Sequence, residues 1–118
     1  MKIRDKVVLQ KIIRFTDEIA YTSEEYSLTL EKLSTMITPK NAVAMCVLQI
    51  GELAGVLSDD VKRKYPGVPW RLMSAMRNIA AHNYGAFDLE LLWETATRDV
   101  PTLKAYCKHI LLVEPVDE

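Results

Sequence analysis

Cysteine and histidine are scarce in this chain, and their scarcity removes several kinds of chemistry. Two cysteines, Cys46 and Cys107, are too few for a disulfide framework. Both lie among apolar neighbours in helical patterns, which points to buried, reduced thiols. The two histidines, His82 and His109, are far apart, and no Cys/His/carboxylate cluster has ligand spacing. The expectation is chemistry without a metal or a cofactor. Charge of one sign is lacking too: 15 Lys and Arg oppose 16 Asp and Glu, a formal net charge of −1. Bulk charge therefore gives no strong nonspecific affinity for nucleic acid. A protein of this composition that acts on RNA needs a local basic patch, or a dimer that doubles one.

Long apolar runs are missing as well. The longest, Ala42 to Leu48, is far too short to span a membrane. The start, Met1-Lys2-Ile3-Arg4-Asp5, has no signal-peptide apolar region. A cytoplasmic protein with no membrane association is expected. Only four glycines and five prolines interrupt a chain that is 49% apolar and 26% charged, a mix that suits a compact helical domain. Its 118 residues are enough for one domain, 1–118, with a modest core.

Apolar spacing predicts a first helix over about 5–20, with Val8, Leu9, Ile12, Ile13 and Ile19 on its stripe. Thr22-Ser23-Glu24-Glu25 has the form of a capping box that opens a second helix. The stripe of that helix is Tyr26, Leu30, Leu33 and Ile37. Pro39 suits the first helical position of a third helix, over about 39–57, the most apolar and so the central one. Gly51 and Gly55 fall within it. No strand precedes them and no Lys-Ser/Thr follows, so they serve close helix packing rather than a phosphate loop. Ser58-Asp59-Asp60 can cap a short helical turn carrying Lys62, Arg63 and Lys64. That charge run is either a solvated face or a set of RNA-phosphate contacts. Tyr65-Pro66-Gly67-Val68-Pro69 breaks the chain. A fourth helix is expected over about 70–84, stopped by Gly85. Asp88 can cap a last helix with Leu89, Leu92, Trp93 and Ala96 on its stripe. Pro101 predicts a kink or a restart at Asp99, after which Leu103, Tyr106 and Ile110 continue the apolar face. His109 falls off that face, on the surface. Residues 114–118 form a polar, frayed tail. The sum is an all-α bundle of four to five helices.

Groups for phosphate chemistry gather in one place, Arg77-Asn78-Ile79-Ala80-Ala81-His82-Asn83-Tyr84. Along a regular helix Arg77 and His82 are about 140° apart around the axis, while Asn78 shares the face of His82. One helix thus holds the reactive pair close but not converged. A second copy across a two-fold axis could complete the site, and the small Ala80 and Ala81 would let two such helices approach. The negative helix end favours protonated His82, and Arg77 opposes it. That balance can leave an imidazole able to act as base or acid near neutral pH. An adjacent arginine can clamp a phosphate and stabilise a pentacoordinate transition state. Base and anion clamp fit RNA cleavage by 2′-hydroxyl attack. On spacing alone the bland alternative stands beside this: a helix C-terminus with a capping histidine, since Arg-x4-His is common by chance.

The wider pattern resembles the HepT toxins of the HEPN ribonuclease superfamily. It comprises Pro69-Trp70, Met76-Arg77-Asn78, His82-Asn83-Tyr84, Asp88 and Trp93, with Ile50-Gly51-Glu52 and Leu57-Ser58 upstream, over about 40–105. The resemblance implies a HEPN-like homodimer-forming bundle and a metal-independent endoribonuclease with Arg77 and His82 as the catalytic pair and Asn78 as a polar neighbour. It also implies a minimal nucleotidyltransferase antitoxin, MntA, that adenylylates Tyr84 and so blocks the cleft. Ala80-Ala81 stands where larger aliphatics are usual, and Gly85 where a bulkier residue is. Neither change removes a functional group. The rival expectation is a noncatalytic HEPN-type module that binds a nucleotidyltransferase partner.

Overall fold

The computed structural model describes residues 1–68, 70 and 89–117. Among them every regular element is helical: α1 (Ile3–Tyr26), α2 (Leu30–Thr35), α3 (Ile37–Val56), α4 (Asp59–Lys64), α5 (Leu89–Glu94), a π turn (Thr95–Asp99) and α6 (Val100–Val113). The all-α bundle is as expected. The helix expected over about 70–84, its stop at Gly85 and the cap at Asp88 lie outside the described residues, apart from Trp70.

Helix α1 is longer than the spacing predicts. No capping box forms at Thr22. Its hydroxyl instead donates back to the Glu18 carbonyl at 2.8 Å, the bond a threonine makes inside a continuing helix. No glycine or proline stops the chain before Ser27, which adopts a left-handed conformation with φ 47°. There the Ser27 N–H donates to Glu24 and the Leu28 N–H to Ser23, the paired closure of a Schellman end. Tyr26 therefore ends α1 and Ile37 begins α3, so the stripe expected for the second helix does not exist. What remains is α2, capped by the Thr29 hydroxyl, which accepts from the Lys32 N–H at 3.1 Å. Of that stripe only Leu33 is buried, and Ile37 is 69% exposed.

The central pairing is α1 with α3, and it is antiparallel. Arg4 donates to the Val56 carbonyl at 2.7 Å, and the Cys46 thiol donates to the Glu18 carboxylate at 3.5 Å. Along this pairing Val8, Leu9, Ile12 and Ile19 pack with Val43, Val47, Ile50 and Ala54 in one core. Each large aliphatic buried this way is worth about 1.5–3 kcal/mol relative to exposure. Pro39 lies in the first turn of α3, where its missing N–H has no intrahelical partner to lose. Both glycines lie inside α3, and Gly51 is buried.

As expected, regular winding restarts after Asp99, and Pro101 falls in the first turn of the new helix. The chain passes through a π turn in which the Val100 N–H reaches the Thr95 carbonyl five residues back. The wider turn precedes a proline in the first turn of α6, so the ring displaces no regular bond. Leu103, Cys107 and Ile110 are buried in the core, where α6 packs on α1, whereas α5 packs on α2 and α3. Over residues 114–117 the tail is tied down rather than frayed. The Met1 amino group donates to the Pro115 carbonyl, and the Asp117 N–H donates to the Met1 carbonyl, both at 2.8 Å. Among the described residues no helix is long and apolar enough to cross a membrane.

Candidate active site

The proposed catalytic residues Arg77 and His82, their neighbour Asn78 and the proposed modification site Tyr84 lie outside the described residues. So do Pro69, Arg71, Met76, Ala80, Ala81, Asn83, Gly85 and Asp88. The structure does define how the chain is delivered to this stretch. Ser58 caps α4, its hydroxyl accepting from the Val61 N–H at 3.4 Å. The chain then turns at Tyr65-Pro66-Gly67-Val68 and reaches Trp70, seven residues before Arg77. Trp70 is 6% exposed, and its indole N–H donates to the Tyr65 carbonyl at 2.9 Å. The aromatic body is buried and its one donor is satisfied, which fixes the lead-in.

This turn is held from the far end of the sequence. The Tyr65 hydroxyl donates to the Glu114 carboxylate, which also pairs with Lys64 at 2.7 Å. The Tyr65 and Tyr106 rings meet edge to face, with centroids 6.1 Å apart. A Cβ on Gly67 would lie 2.6 Å from Tyr106 Cε2, so this position has no room for a side chain. Lys64, then the Tyr65 hydroxyl, holds the Glu114 carboxyl below its ordinary value, so it is a carboxylate near neutral pH. The Glu114 hydrogen bond, with burial, pushes the Tyr65 phenol up to about 12, so it stays protonated. Neither group titrates near neutrality, so the cluster orients the turn rather than moving protons. Spacing did not single out Tyr65 or Glu114. The Tyr-Pro-Gly turn is a signal for the first, and nothing in the polar tail marks the second.

The basic run of α4 is engaged by its own surroundings. Arg63 pairs with Asp60 at 2.6 Å, Lys64 with Glu114, and Lys62 donates to the Gly55 carbonyl at 3.4 Å. These contacts favour the solvated face over the set of phosphate contacts. His109 is exposed, as expected. Both cysteines are free and buried. Burial, joined at Cys46 by the Glu18 carboxylate, pushes each thiol up to about 12, so neither supplies a thiolate. Of the wider motif, Ile50 and Gly51 are buried in α3 with Glu52 exposed, Leu57 is buried, and Trp93 is half-buried on α5.

A family model described as "Ribonuclease HepT-like" matches residues 8–110, which takes in all of the Arg77–Tyr84 stretch. The chain belongs to the HepT-like ribonuclease family. It is 33% identical over 93 residues to "Putative RNase MJ1380" of Methanocaldococcus jannaschii, covering 79% of this chain and 77% of that protein. It is 29% identical over 114 residues to "Putative RNase MJ1216" of the same organism, covering 96% and 93%. It is 40% identical over 63 residues to "Probable ribonuclease HepT" of Thermococcus cleftensis, covering 53% and 57%. No solved structure matches the chain. Membership in this family makes the protein an enzyme of the ribonuclease class with the helical HEPN bundle.

Proposed function

We propose that this chain, a single HepT-like domain over 1–118, is the toxin of a toxin–antitoxin pair: a cytoplasmic, metal-independent endoribonuclease working as a homodimer. The observation that carries this reading is the complete Arg77-x4-His82-x-Tyr84 motif inside a match to a ribonuclease family. His82 takes the proton of a ribose 2′-hydroxyl as that oxygen attacks the adjacent phosphorus. The bond to the 5′-oxygen breaks, and this oxygen leaves with a proton from an imidazolium. The products are a 2′,3′-cyclic phosphate and a 5′-hydroxyl. Arg77 clamps the phosphate as its charge builds, and Asn78 is a polar neighbour on the face of His82. Tyr84 is the residue that an MntA-type nucleotidyltransferase adenylylates. The added negative group there repels RNA phosphate and fills the cleft.

The test is cleavage of RNA by purified protein in the presence of a chelator. Arg77→Ala and His82→Ala should each lower the rate by about 10²-fold or more. Wild-type rates in both variants would overturn the assignment. Intact mass after co-expression with a nucleotidyltransferase should show an adenylyl increment that Tyr84→Phe abolishes.

A further inference from the structure

We infer that the N-terminal half of α1 is a second RNA-binding surface, a track for the phosphate backbone remote in sequence from Arg77 and His82. It rests on reading the chain as a ribonuclease. A chain of net charge −1 needs a local concentration of cations to hold RNA. The run Lys62-Arg63-Lys64 does not supply it, because Asp59 and Asp60 of the same short helix, with Glu114 against Lys64, offset its three charges.

Helix α1 is different. Its charge is sharply divided along its length. Residues 2–14 carry Lys2, Arg4, Lys6, Lys11 and Arg14 against the single carboxylate of Asp5. Asp5 is 2% exposed and turned inward onto Ser58. Residues 17–25 carry Asp17, Glu18, Glu24 and Glu25 and no cation. Among the described residues no carboxylate pairs with Lys2, Lys6 or Lys11. Arg4 spends one nitrogen on the Val56 carbonyl. Arg14 lies over the Phe15 ring and 4.0 Å from Glu18, with both side chains more than half exposed. Such an exposed pair is worth little and yields readily to a phosphate.

The geometry suits a backbone. Arg4, Lys11 and Arg14 fall within an arc of about 80° and span about 15 Å of helix. Val7 lies between them, and Lys6 borders the same exposed half. Past Arg14 the helix turns acidic, with Asp17 paired to Lys104 and no cation over 17–25, so the track ends there. A second copy of the chain could instead seat its acidic half here. That contact would be poor in apolar surface, since Ile3, Val7 and Tyr21 are the large exposed apolar residues of α1, whereas the centre of a stable interface is depleted of charge.

The probe is a labelled single-stranded RNA, with binding read by fluorescence anisotropy over about 50–200 mM salt. Converting Arg4, Lys11 and Arg14 together to Ala should weaken binding about tenfold or more at the low end. It should also make the salt slope shallower by about 2, since each single-strand phosphate that a cation neutralises adds about 0.7 to the slope. The pair Lys11→Glu with Arg14→Glu breaks no backbone bond and keeps the test alive if loss of Arg4 harms folding. Lys108→Glu, the same type of charge reversal on exposed α6 surface, should leave binding unchanged. Gln10→Lys should steepen the slope. Unchanged affinity and slope in the α1 variants overturn the track, as does wild-type protein that binds no RNA. A change in oligomeric state without a change in RNA binding overturns it as well, and makes the face a contact between copies. RNA bound through α1 but never cut supports the track and sinks the ribonuclease reading.

Discussion

Asp5 accepts two hydrogen bonds from Ser58, one from its backbone N–H at 2.9 Å and one from its hydroxyl at 2.8 Å. The first turn of α1 thereby closes over the residue that caps α4. Asp5→Ala would leave the Ser58 N–H without its acceptor in a part-buried place, at a cost of about 1–3 kcal/mol. Asp5→Asn keeps one acceptor oxygen and should cost less. Denaturant titration of the two variants checks the order, and equal losses would mean that the acceptor kept by Asn contributes nothing.

Ser27 is the sole non-glycine residue with positive φ among the described residues. A left-handed conformation costs a residue with a Cβ about 1–2 kcal/mol, which glycine avoids. Part of that gain is offset by the greater freedom of glycine in the unfolded chain. Ser27→Gly should therefore stabilise by about 0.5–1 kcal/mol. Ser27→Val should destabilise. Thermal melts of both variants test the sign.

Gly67 lies against the ring of Tyr106. In Gly67→Ala the new methyl would force the ring away and disturb its edge contact with Tyr65. The expected loss is about 1–3 kcal/mol, the usual cost of overpacking. In a Tyr106→Ala background the same change should cost clearly less. If the two losses simply add, the ring is not what excludes a side chain at position 67.

The Tyr65–Glu114–Lys64 cluster makes stability depend on pH at both extremes. Tyr65 is raised from 10.0 in the unfolded chain to about 12 in the fold. Its contribution is complete below about pH 10 and is lost as pH rises toward about 12. Glu114 is lowered, so its contribution is present above the ordinary carboxylate range and disappears as pH falls below it. Tyr65→Phe should remove the alkaline component, and Glu114→Gln the acidic one together with most of the alkaline one. Unfolding midpoints across pH for wild type and both variants measure this, and coincident profiles would refute it.

Local rules made α3, the Ser58 cap, the exposed His109 and the buried thiols legible, because each depends on residues a few positions apart. The end of α1 was not legible. Thr22 and Glu25 have the types of a capping box, but only tertiary packing decides whether the helix stops there. Nor was the role of Glu114, whose partners Tyr65 and Lys64 lie about 50 residues away. The same distance problem hid Asp5, which sequence alone makes one more surface charge. For the candidate site the balance reverses. The motif is legible in the sequence, and the described residues add its lead-in, from the Ser58 cap to the indole of Trp70.

The π turn carries one residue more than regular helical winding needs between α5, which faces α2 and α3, and α6, which faces α1. At about 100° per residue, removing one residue would rotate Leu103, Cys107 and Ile110 a quarter-turn or more relative to Leu92. Either half could then keep its seat only by unseating the other. Thr97 and Arg98 are exposed, so exchanging their side chains should matter little. The stretch is thus tolerant of spelling and intolerant of length: a one-codon deletion at Thr97 should do more damage than any substitution there.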